Sequence, residues 1–297
     1  MAAQPAALTI AVSFTESVKP HLTVLRNDYN GAQDFVLAAV LENRGTRKLA
    51  RLRRKCSYRR MPWDFWLIFI FLGLVIPWRG HARLKKLLAK PHVSTMEKLA
   101  LYGSTIAFQW VIVAVVAWRA IVRRMTPEQL GLVSHEVNKI VMVALIGGAI
   151  VGGLHWLNLR RTARLHVPAV DAMRAIAERI LPQSLVELLP YSALAITAGL
   201  CEEFLYRGFV MGVLLRMGWH GWLVGIVSSI LFGFAHAYQG RSGVIGTMVL
   251  GLLFAVVRLA YDSLVPVMVW HAVVDLVAGI AGPRYLLAQP KTEIKAV

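Results

Sequence analysis

From residue 61 onward, long apolar runs alternate with short basic connections. An α-helix rises about 1.5 Å per residue, so about 20 apolar residues cross a hydrocarbon core of about 30 Å. Seven runs approach that length, at 65–78, 99–118, 140–157, 186–213, 222–237, 244–259 and 264–280. The pattern predicts an all-α polytopic integral membrane protein with about seven transmembrane helices, within a range of six to eight. The run at 65–78 is short and would need tilt or local thinning of the bilayer. Trp63, Trp66, Trp78, Trp118, Trp156, Trp219 and Trp270 fall near the expected ends, as an interfacial aromatic belt requires. Between the runs, residues 162–180 mix Arg164, Asp171, Arg174 and Arg179 with apolar side chains, which suits an amphipathic helix lying in the interface. Gly148 with Gly152, Gly208 with Gly212 and Gly221 with Gly225 offer small faces for close helix contact.

Composition supports a membrane setting: 57% of the 297 residues are hydrophobic, 16% are charged and mean hydropathy is +0.57. A net charge of +17 raises nucleic acid as a partner. The Lys and Arg residues, however, cluster at 44–60, 79–98, 119–124 and 160–179, between apolar runs, where anionic headgroups lie. Membrane lipid is therefore the expected partner, and nucleic acid is not. Both sides of the bilayer receive similar basic charge, so positive-inside counting sets no orientation. Two cysteines, Cys56 and Cys201, make no disulfide framework. Residues 1–60 lack a basic n-region, and their apolar stretch at 7–14 ends by Glu16, against a cleaved signal peptide. They read as a basic, poorly ordered extension, with Met61 an alternative start. The expected organisation is this extension, N-terminal transmembrane helices with basic loops at 61–181, a polar-bearing transmembrane domain at 182–285 and a tail at 286–297.

The chemistry sits inside the apolar runs. Glu202, Glu203 and Arg207 lie within six residues, and a charge at mid-bilayer costs about 2.5–3.5 kcal/mol on insertion scales. Glu203 and Arg207, four apart on a helix, read as a structural ion pair. Glu202 is turned about 100° away and has no such partner. It is either a general base with a partner from another helix or a member of a packing network. Phe232 precedes His236 by four residues at the end of one run, and His271 precedes Asp275 by four within another. A lone helix histidine is usually a core residue, but two of them accompany three acids here. Cys201 reads as packing rather than as a nucleophile.

These motifs, E-E-x-x-x-R, F-x-x-x-H and H-x-x-x-N/D in separate hydrophobic segments, resemble those of the CAAX protease and bacteriocin-processing (CPBP) intramembrane proteases. That family includes the Ras-converting CAAX endoprotease, and the likeness covers about residues 186–280. The resemblance implies an intramembrane endopeptidase that hydrolyses a membrane-associated substrate, CAAX-like or a peptide precursor, in a membrane of the bacterial inner-membrane type. Glu202 and His236 would activate water, with His271 and Asp275 assisting and with Glu203, Arg207 and Phe232 in support. Family members are described both as metalloproteases and as metal-free glutamate proteases. Zinc on His236, His271 and Asp275 is thus one reading, and no cofactor is the other. Where the family has Asn, Asp275 would be neutral, orient His271 or ligate a cation. A catalytically silent binding or immunity protein of the same fold is one alternative. An ion-coupled transporter is another, though the charged spans all lie in one half of the chain.

Overall fold

The computed structural model describes residues 61–134, 136–165 and 167–287. The expected extension at 1–60 and the tail from 288 onward lie outside the described residues. Among the described residues eight helices follow in order: α1 (Trp63–Leu88), α2 (Thr95–Val122), α3 (Val137–Thr162), α4 (Pro168–Ile180), α5 (Leu185–Arg216), α6 (Gly221–Ala235), α7 (Ala237–Tyr261) and α8 (Val265–Leu287). Among the described residues there is no strand. Six helices, α1–α3, α5, α7 and α8, are long and apolar enough to cross a membrane. The chain is an all-α polytopic membrane protein.

Five expectations change. The run at 65–78 needs no thinning, because α1 continues to Leu88 for 26 residues. Ala, Arg, Leu and Lys favour helix there, and long basic side chains can reach the interface from an otherwise apolar rod. The run at 222–237 is not a full span, since α6 has only 15 residues, about 22 Å. The amphipathic helix begins at Pro168 rather than near 162: the residue before proline is held extended, and Val167 has φ −131° and ψ 148°. Trp270 is not part of the belt. It is 7% exposed, and its indole N–H reaches the carbonyls of Val143 (3.1 Å) and Ala144 (3.2 Å) on α3. Trp63, Trp66, Trp78 and Trp118 are exposed as a belt requires. The expected boundary at 285/286 falls inside α8, where Leu286 is buried.

Serine caps start two of the helices that frame the site. Ser94 and Glu97 form a capping box on α2, and Ser184 accepts from the Glu187 N–H on α5. At the core α8 packs against α3 and α5, α2 packs against α5, and α6 packs against α7. Two of the small faces meet helices as expected, Gly152 facing Val273 and Gly225 facing Ala255, whereas Gly212 faces the Gln129 carbonyl in the connection between α2 and α3. Gly199 brings the backbones of two helices close together. A Cβ there would lie 2.8 Å from both the Ala272 nitrogen and the Met268 oxygen, so only glycine lets α5 sit this close to α8. That contact brings Glu202 and Glu203 level with His271.

Candidate active site

Glu202 and Glu203 end the α-helical part of α5, and a π-helical turn, Phe204–Val210, follows. Such turns free backbone carbonyls. Ser228 of α6 answers one of them, donating to the Tyr206 carbonyl at 2.9 Å. The two adjacent glutamates diverge, as their 100° separation dictates, and each finds a histidine.

Glu203 is fully buried. Its Oε1 accepts from Arg207 at 2.9 Å, the expected i,i+4 ion pair, and from His271 Nδ1 at 2.7 Å. The Arg207 guanidinium lies 4.1 Å from the Phe232 ring centroid and 5.6 Å from that of Phe254. Glu203 Oε2 and Arg207 Nε and Nη2 have no hydrogen-bond partner among the described residues. The rings supply part of what the missing hydrogen bonds do not, because their π faces attract a desolvated cation.

Glu202 is partly exposed, at 21% of its side chain, and faces a cavity of about 250 Å³. Its Oε1 accepts from Gln109 Nε2 of α2 at 2.8 Å, and its Oε2 lies 3.8 Å from His236 Nε2. His236 ends α6, just before the 3₁₀ turn Ala237–Gln239. Gly240, at φ 77°, joins this turn to the α-helical part of α7, a conformation a side chain would strain. Irregular backbone inside a membrane bundle is tolerated where it lines a cavity. His236 and Tyr238 do line this one. His236 Nδ1 donates to the Phe232 carbonyl at 2.9 Å, since a carbonyl can only accept. With Nδ1 donating, Nε2 is the ring nitrogen turned toward the Glu202 carboxylate, and in a neutral ring it carries a lone pair. Two acceptors 3.8 Å apart make no direct hydrogen bond, but a water molecule with two O–H groups satisfies both.

His271 Nε2 lies 3.7 Å from Asp275 Oδ2. Neither residue lines the cavity that Glu202 and His236 share. The Phe232 ring joins the two pairs, with centroids 4.7 Å from His236 and 5.7 Å from His271.

The zinc set His236, His271 and Asp275 does not assemble. Among the described residues no group of three or more His, Cys, Asp or Glu side chains is placed to hold a metal ion. His236 Nδ1 is committed to a backbone carbonyl and His271 Nδ1 to Glu203, and Phe232 packs against both rings. Cys201 is 1% exposed, as a packing residue would be. Sequence reasoning missed Gln109. Its signal is a lone amide in the middle of the run at 99–118, where apolar neighbours make an unpaired polar group costly.

Fold and site together define a polytopic membrane protein whose C-terminal helices bury a carboxylate–imidazole network. Residues 183–277 match the sequence family described as Type II CAAX prenyl endopeptidase, Rce1-like. The match spans about a third of the chain and contains Glu202, Glu203, Arg207, Phe232, His236, His271 and Asp275, in agreement with the resemblance read from the motifs. Helices α1–α4, with Gln109, lie outside it. No curated protein and no solved structure matches the chain.

Proposed function

We propose that the protein is an intramembrane endopeptidase in which Glu202 is the general base. The observation that carries this reading is that Glu202 Oε2 and His236 Nε2 face each other at 3.8 Å on the wall of a cavity inside the bundle. A water bridging them is oriented for attack. Glu202 takes one of its protons while the oxygen bonds to the carbonyl carbon of a peptide bond, and the carbonyl electron pair moves to oxygen. When the tetrahedral species collapses, the C–N bond breaks and the proton passes to the departing amine. His271, held by Glu203, and Asp275 assist through the charge network behind the Phe232 ring rather than by lining the cavity. The substrate is a membrane-associated peptide segment, CAAX-like or a peptide precursor, because the cavity walls are largely aliphatic, with Leu72, Ile76, Leu84 and Ile112 among them.

Glu202→Gln tests the reading, since it keeps the shape and the Gln109 contact but removes the base. Cleavage of membrane-anchored peptides by the purified protein should fall by at least about a hundredfold with folding intact. Turnover near that of the wild type would return Glu202 to a structural role.

A further inference from the structure

A second cavity, of about 270 Å³, lies where α1 begins and α2 and α5 end, and it shares no lining residue with the cavity of Glu202 and His236. Phe65, Val213 and Met217 give it an apolar wall, and Arg123, Arg124 and Arg216 give it charge. Asp64, 5% exposed, is shared between Arg119 and Arg123, whose guanidiniums donate to it at 2.7 and 3.1 Å. Arg216 Nη1 donates to the carbonyls of Arg123 and Arg124 at 3.0 and 3.2 Å, which closes the end of α2. Its Nε and Nη2 make no hydrogen bond among the described residues. Neither Arg124 nor Arg216 is in an ion pair among the described residues.

Arg124 sits just past the end of α2 at φ 54°. Its N–H reaches the Ile121 carbonyl at 2.8 Å, and the Met125 N–H reaches the Ala120 carbonyl at 2.9 Å. This is the left-handed close of a helix, a position that glycine fills without strain and arginine does not. The turn itself therefore gives no reason for the side chain. Basic charge against the helix dipole is already supplied by Arg119 in the last turn and by Arg123. Trp63 and Trp66 in the first turn of α1, Trp118 one turn before the end of α2 and Trp222 at the start of α6 are all exposed. Indole rings collect at headgroup level, so the cavity lies at the depth of lipid phosphates. Two guanidiniums make a forked donor set for phosphate oxygens, and the apolar wall beside them suits the glycerol and the first acyl carbons. A choline cation on the same phosphate would oppose the second guanidinium.

We infer that Arg124 and Arg216, with the apolar wall beside them, form a binding site for the phosphate of an anionic phospholipid, which ties the ends of α2 and α5 together. The site is independent of the endopeptidase reading, and its test needs no turnover.

The full chain is purified in a neutral detergent and given dioctanoyl phosphatidylglycerol, dioctanoyl phosphatidylcholine or inorganic phosphate. At roughly a hundredfold excess over its dissociation constant, the phosphatidylglycerol should raise the unfolding midpoint by about 5–10 °C. Phosphatidylcholine and inorganic phosphate at the same concentration should give at most half of that shift. Native mass spectrometry should show phosphatidylglycerol retained on the chain. Arg124→Gly separates binding from folding, because it relieves the strained backbone: the lipid-free midpoint should hold or rise, while affinity for phosphatidylglycerol falls by at least about tenfold. Arg216→Gln should weaken binding as much and also lower the lipid-free midpoint, since two carbonyls at the end of α2 lose their donor. Lys85→Gln with Lys86→Gln, a basic pair exposed near the other end of α1, should leave affinity unchanged. Wild-type affinity in Arg124→Gly overturns the site. So does an equal loss in the lysine variant, which reduces the binding to diffuse surface attraction. Equal protection by inorganic phosphate, mole for mole, overturns the lipid assignment and makes a soluble phosphate the occupant.

Discussion

Replacing Arg207 by leucine removes a fully buried guanidinium that donates to Glu203 at 2.9 Å and lies against the Phe232 ring. Glu203, also fully buried, keeps His271 as a donor, while its Oε2 is already without one. Breaking a buried ion pair from one side costs about 3–5 kcal/mol, because the remaining charge stays desolvated. Loss of the cation–π contact adds about 1–2 kcal/mol. The apolar leucine side chain returns about 2 kcal/mol by its own burial. The net loss is about 3–4 kcal/mol, which for a domain of this size lowers the unfolding midpoint by about 10 °C. Tryptophan fluorescence of the purified protein, heated in detergent, measures this directly. The charge argument also predicts that Glu203→Gln combined with Arg207→Leu recovers at least half of the loss, since the isolated carboxylate is gone. A single variant melting within about 3 °C of the wild type, or a double variant less stable than either single one, refutes the reasoning.

Gln109→Leu removes a hydrogen bond to a charged oxygen, worth about 1.5–3 kcal/mol. It should lower kcat by about tenfold or more with little change in KM, and should cause no further loss in the Glu202→Gln background; an equal loss in both backgrounds would mean that Gln109 does not act through Glu202. Asp275→Asn should keep most of the activity and chelators should have little effect, because the histidines and Asp275 form no ligand set. Stoichiometric zinc lost together with activity in that variant would show the opposite. Gly199→Ala should destabilise by about 1–3 kcal/mol, since the added carbon meets α8 backbone that cannot yield as a side chain can. A melting temperature equal to that of the wild type would show that α5 and α8 separate freely.

Much of the molecule is legible in the chain because the governing property is local. A helix long and apolar enough to cross a membrane is a matter of consecutive residues, and so the fold class and most of the spans follow from the runs themselves. The Glu203–Arg207 ion pair is equally local, since positions four apart on a helix face each other whatever surrounds them. The adjacent Glu202 and Glu203 had to diverge for the same reason.

Partners on other helices are different. Gln109 and Glu202 are separated by 93 residues, Glu203 and His271 by 68, and Trp270 and Val143 by 127. No periodicity encodes such pairings. They depend on which helix faces pack together, and that is decided by shape: glycine at 199 sets the separation of α5 and α8, and glycine at 147 leaves room for the Trp270 ring. Tertiary packing likewise turned Arg79 and Arg83 toward the cavity, although in sequence they belong to one basic connection with Lys85 and Lys86. It also divided His236 and His271 between Glu202 and Glu203 rather than gathering them about a metal. Sequence by itself determined which polar groups are buried in apolar spans, because insertion cost is a property of each span. Only the tertiary structure decided which of them meet, because each buried charge takes its partner from whichever helix packing brings within hydrogen-bonding distance.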